Sequence, residues 1–120
     1  MSAFAEIEKY RNDYRMIAET AEQLRKDFGM FSVEIHFSGN PDTAYDELFR
    51  QVRAVIEPLA AQNSSVFGNI LYRVDIREKD LAEVYRVQPP SAMYDVLTDL
   101  ILRRELFKVV CRRYYSDPGK

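Results

Sequence analysis

At 120 residues, 47% hydrophobic and 30% charged, the chain has the bulk of one domain spanning residues 1–120, long enough to bury most of the surface its unfolded form exposes. A net charge of −2 implies no chain-wide attraction to nucleic acid or anionic lipid, and no apolar run approaches the length of a membrane span. The single cysteine, Cys111, excludes an intrachain disulfide and suits a reducing cytoplasm, and the acidic residues of MSAFAEIEKYRND do not read as a secretory leader.

Ala3, Ile7, Tyr10, Tyr14, Ile17, Ala21, Leu24 and Phe28 recur at alternating steps of four and three, which predicts one long helix with a narrow heptad seam. Gly29 is placed to end it. Tyr10 and Tyr14 bring hydroxyls into that seam, and each hydroxyl needs a partner, which suits an edge that is half wet or closed by a second chain. GMFSVEIHFSG follows. Here Phe31, Val33, Ile35 and Phe37 point one way and Ser32, Glu34, His36 and Ser38 the other, the period of a half-buried strand.

NPDTAYDELF opens a second helix: Asn40 is placed to cap, Pro41 fits the first helical position, and Asp42, Asp46 and Glu47 suit the positive end of the dipole. Tyr45, Leu48, Phe49, Val52, Val55, Ile56 and Leu59 give it a wide apolar stripe, and Pro58 predicts a kink or a stop near Glu57. SSVFGNILYRVDI, residues 64–76, fits both periods. Val66, Phe67, Ile70, Leu71 and Val74 make a helix face; Ile70, Tyr72, Val74 and Ile76 make a strand face. A cap at Asn63 or Ser64 favours the helix, and the extended segment then pairs with another chain or runs unpaired across the core.

Asp75 and Glu78 have capping-box spacing for a short helix that Pro89 and Pro90 end, and Ser91 caps a last helix from about Ala92 to Tyr115. Met93, Leu97, Leu100, Arg104, Phe107, Cys111 and Tyr114 form one stripe along it, and Leu102, Leu106, Val109 and Val110 a second, which predicts a central helix. The expected fold is mainly α, a bundle of four or five helices with one short extended segment. The alternative is α+β, with residues 31–37 and 70–76 paired in a small two-stranded sheet.

Catalytic signatures are sparse. The four glycines cannot compose a phosphate-binding loop, and there is no Cys-x-x-Cys or His-Glu-x-x-His, so no cofactor, metal or enzymatic role is expected. The lone histidine, His36, shares a polar face with Glu34, a pair suited to acid–base work, although a solvated strand face gives the same pattern. Asp42 and Asp46 are four apart on one helix face, and the dipole already accounts for acids there.

The strongest bias is ILRRELFKVVCRRYYSDPGK, with six basic side chains against Glu105 and Asp117. Arg103, Lys108, Arg112 and Arg113 beside Tyr115 form a candidate set for anion or nucleic-acid contacts. Pairing with acids of the first helix, such as Glu6, Glu8, Asp13, Glu19 and Glu22, explains these cations more economically, and Arg104, inside an apolar seam, most needs a buried ion pair. Together these features predict a small cytoplasmic protein–protein interaction module or homodimeric subunit without catalytic activity, with Tyr10, Tyr14, Glu34 and His36 at the interface. A nucleic-acid-binding accessory protein using the basic last helix is the alternative.

Overall fold

Asp13 sets where the first described helix begins. Its backbone is extended (φ −88°, ψ 107°) and its carboxylate accepts the N–H groups of Arg15 and Met16, satisfying two donors that a helix start otherwise leaves orphaned. The long helix expected from Ala3 to Phe28 therefore does not run through this residue. The structure, a computed structural model, describes Tyr10 and residues 13–114, so Ala3 and Ile7 lie outside the described residues. Helix α1, Tyr14–Gly29, buries Ile17, Ala21, Leu24 and Phe28 to 2% exposure or less, so this half of the seam closes within the chain's own core.

Four further helices follow: α2 Ala44–Gln62, α3 Ser64–Val74, α4 Glu78–Val84 and α5 Met93–Tyr114, the last entered through a short 3₁₀ turn at Pro90–Ala92. The chain is thus a mainly α bundle, with no strand among the described residues. The α+β alternative fails because residues 70–74 belong to α3. That helix starts where the Asn63 carboxamide oxygen accepts the Val66 N–H at 3.2 Å. It ends where Asp75 turns left-handed (φ 77°) and the Ile76 N–H returns 2.9 Å to the Leu71 carbonyl, a Schellman-type stop with Ile76 buried beneath it.

Three expected boundaries move for local reasons. The Asn40 side chain accepts the Asp42 N–H at 3.0 Å; this Asx turn delays α2 to Ala44 and leaves Asp42 off the helix face it was expected to share with Asp46. Pro58 does not stop α2, which continues to Gln62, because the hydrogen bond it deletes lies on the solvent side. Asp75 ends α3 instead of opening α4, whose start is fastened by the Arg77 N–H donating to Asp80 at 3.2 Å.

Helix α5 packs against each of the other four helices, the central position its two stripes predicted. Its buried face is Leu97, Thr98, Ile101, Leu102, Glu105, Leu106, Val109 and Val110. Relative to the expected seam this face is rotated by one residue, so Arg104 is only partly buried and Glu105 takes the interior place.

The alternation in residues 31–38 is obeyed without a sheet. Ile35 is buried, Phe31, Val33 and Phe37 pack against the core, and Ser32, Glu34, His36 and Ser38 face solvent. Side chains replace a neighbouring strand on both edges. On one, Arg25 of α1 donates to the carbonyls of Ile35 (3.4 Å) and Phe37 (3.5 Å). On the other, Gln51 and Glu47 of α2 accept the N–H groups of His36 (3.4 Å) and Ser38 (2.7 Å). In extended backbone the carbonyls of residues 35 and 37 point opposite to the N–H groups of 36 and 38, so one segment is held from two helices. Glu47→Ala should therefore cost about 1 kcal/mol by chemical denaturation, with amide exchange accelerated at Ser38 ahead of the helices.

Candidate functional site

The most unusual chemistry sits where α1, α3 and α5 meet. Asp27 of α1 and Glu105 of α5 are both 0% exposed, and both Glu105 carboxyl oxygens are buried with no hydrogen-bond partner among the described residues. Burial, reinforced by the neighbouring Asp27, pushes the Glu105 carboxyl up to about 8, which favours its neutral form at neutral pH. Burial alone would raise Asp27 too, but the neighbouring Glu105 carboxyl and the hydrogen bonds from Lys108 and Gln23 outweigh it and hold Asp27 below its ordinary value.

Three elements place cations and an amide around this acid. Arg73, in the last turn of α3, donates through Nε to Asp27 Oδ1 at 3.0 Å. Lys108 Nζ donates to Asp27 Oδ2 and to the Arg73 carbonyl, both at 2.9 Å, and lies 3.0 Å from Glu105 Oε1. One ammonium thus serves two carboxyls and caps a carbonyl that the end of α3 leaves without an intrahelical donor. Gln23 Nε2 donates to Asp27 Oδ2 at 3.1 Å, and Gln23 Oε1 accepts from Arg112 Nη1 at 2.8 Å. The polar chain runs from the core to an open groove of about 480 Å³ lined by Glu22, Gln23, Arg25, Lys26 and Arg112.

A second open groove, of about 520 Å³, lies on the outer side of α2. Phe49, Ala54, Pro58 and Ala61 supply its apolar wall, and Arg50, Arg53 and Glu57 supply charge. Arg53 donates to Glu57 at 2.6 Å and to Asp95 of α5 at 2.9 Å, and these partners raise its pKa.

The residues singled out from sequence are dispersed. Tyr14 is 36% exposed; its hydroxyl donates to the Gly39 carbonyl at 2.9 Å and its ring stacks on Phe37, fastening the end of the extended segment. Tyr10 packs elsewhere, against Met16, Leu106, Val109 and Val110. Glu34 and His36 stand on the outer face of the segment, 3.5 Å apart and well exposed. Arg103 bonds Asp99 at 2.7 Å, Arg113 pairs with Glu19, and Lys108 and Arg112 enter the polar cluster. Tyr115 lies outside the described residues. Among those residues no three His, Cys, Asp or Glu side chains converge as a metal site, and no helix is long and apolar enough to cross a membrane.

Of the acids expected to meet the basic helix, Glu19 does so, Asp13 instead caps α1 and Glu22 pairs with Arg25, while Glu6 and Glu8 lie outside the described residues. Asp27, Gln23, Arg73 and Glu105 were not singled out by the sequence reading. Glu105 had a signal: it falls between Ile101 and Val109 in a run of four-residue steps from Leu97, an acid in an apolar row. Asp27 had a weaker one, lying beside Phe28 and three residues beyond Leu24. Comparison with known protein families, curated proteins and solved structures returns no match, so the functional argument rests on these side chains.

Sealed from solvent, the carboxyl pair has no route to a substrate, but it ties folding to pH. Between the ordinary glutamate value of 4.5 and about 8, the folded chain keeps a proton the unfolded chain has lost. Stability therefore falls as pH rises through this window, with a slope of at most about 1.4 kcal/mol per pH unit. Asp27 acts oppositely, its contribution being lost only as pH drops through its lowered value. Denaturation of Glu105→Gln, which supplies an amide donor in place of the acid proton, should show this slope abolished and higher stability than wild type at pH 8. Asp27→Asn leaves the partly exposed Lys108 and Arg73 facing a neutral amide and should cost about 1.5–3 kcal/mol by urea unfolding at pH 6.

Proposed function

We propose that the chain is a small cytoplasmic protein–protein interaction module that works as a homodimeric subunit without catalytic activity. The observation that carries this reading is the groove on the outer side of α2, where apolar and small side chains face solvent beside fixed charges. Its lone thiol is compatible with a reducing compartment. The chemistry of the described residues is compatible with it, since the perturbed carboxyl pair is buried and the Glu34–His36 pair stands exposed on the outer face of the extended segment. β-Strand addition is not the mode of contact, because Arg25, Gln51 and Glu47 already occupy both edges of that segment. Engagement of Arg103, Lys108, Arg112 and Arg113 by Asp99, Asp27, Gln23 and Glu19 weighs against the nucleic-acid alternative.

Light scattering across the micromolar range should show the native mass rising from 14.1 kDa toward twice that value. A mass that stays at one chain over the whole range would overturn the homodimer reading. Strongly salt-dependent binding to an oligonucleotide, abolished in an Arg112→Ala, Arg113→Ala double variant, would instead favour the basic helix as the working surface.

A further inference from the structure

Resting on the homodimer reading, we propose that the outer face of α2 binds the same face of a second copy of this chain, the two helices antiparallel about a two-fold axis between Arg53 and Ala54. The face carries an unmet donor and an unmet acceptor. Arg50 is exposed and has no partner among the described residues, whereas its neighbour Arg53 is engaged by Glu57 and Asp95. Pro58 lies inside α2 and has no N–H, so the carbonyl of Ala54, four residues earlier, lacks its intrahelical donor. Ala54, Glu57 and Pro58 are all exposed and all line the groove.

An antiparallel two-fold at this point sets Arg50 opposite Glu57 of the second copy and Phe49 opposite its Pro58. Each guanidinium then meets both a carboxylate and the Ala54 carbonyl, and its forked donors suit two acceptors at once. Symmetry makes the match twice, as an isologous interface requires. Ala54 next to the axis is small enough to let the helices approach at the close end of ordinary helix spacing, about 8 Å. A parallel pairing would set Arg50 against Arg50 and is opposed by charge.

The test uses Arg50→Glu and Glu57→Arg variants of the full chain, with helicity by circular dichroism as the folding control. Sedimentation equilibrium should show each variant alone dimerising at least about tenfold more weakly than wild type, since each homodimer opposes like charges. An equimolar mixture should recover dimerisation to within about threefold of wild type, as a heterodimer seen by native mass spectrometry, because only the mixed pair restores opposite charges at both symmetry-related contacts. If wild type dimerises and both variants dimerise equally well, the α2 face is wrong while the homodimer reading stands. If wild type is monomeric throughout, both fail; uptake of an unrelated basic helix by that monomer would assign the groove to another partner.

Discussion

One buried carboxylate, Asp27, ties three helices together. Asp27 draws Lys108 from α5 and Arg73 from α3, and burial beside it favours the neutral form of Glu105. A cluster of this kind adds little net stability over a well-packed apolar core, because desolvating the charges costs nearly what their attraction returns. Its contribution is selectivity. Sliding α5 by one turn against α1 would separate Lys108 from Asp27 and leave the buried Asp27 carboxylate to Arg73 and Gln23 alone. The apolar stripes of Leu24–Phe28 and Leu97–Leu102 would tolerate that slip far better. Helix register in this bundle is thus set by a polar group inside the core, much as a single polar residue fixes register in coiled coils.

The same helices solve the problem posed by an isolated extended segment. A half-buried strand needs partners for its backbone, and here the side chains of Arg25, Gln51 and Glu47 supply them. The apolar residues of the segment can then seal the side of the core between α1 and α2. This use commits one flank of α2 to the segment. The flank toward α5 is committed through Tyr45 and Arg53, which bond Asp99 and Asp95. Only the outer stripe of α2 is left, and that stripe carries the groove.

Particular residues show how far the sequence was readable. The second helix up to Pro58, the alternation of 31–38 and the central place of the last helix followed from periodicity, because burial of one face is a local pattern; at 64–74 both periods fitted and only the cap at Asn63 favoured the helix. The break at Asp13 was hidden by a heptad that runs through it: side-chain spacing says nothing of the backbone angle a capping aspartate adopts. The Asp27–Glu105 pair was legible only in half. An acid in an apolar row is visible at Glu105, but its partner lies far back in the chain on α1, and no local rule joins them. The error at Arg104 came from choosing the neighbouring helical phase; with leucines on both sides of the helix, a shift of one residue fits almost as well. Grooves were not legible at all, since they depend on what adjoining elements leave uncovered.

Arg53 gives the α2 face a property that an ordinary surface helix lacks. Its guanidinium bridges Glu57 of its own helix and Asp95 of α5 while lying over the Tyr94 ring at 5.4 Å. Glu57 is therefore held from its own side before anything docks, and its carboxylate keeps lone pairs for a second guanidinium. Fixing a long acidic side chain in advance removes part of the rotamer entropy that association would otherwise cost, which for such side chains is about 0.5–1.5 kcal/mol each. Two symmetric copies double that effect. An exposed ion pair on a mobile side chain contributes little to binding; one whose acidic half is already braced against the central helix contributes more, so the bundle's internal packing and its outward surface meet at Arg53.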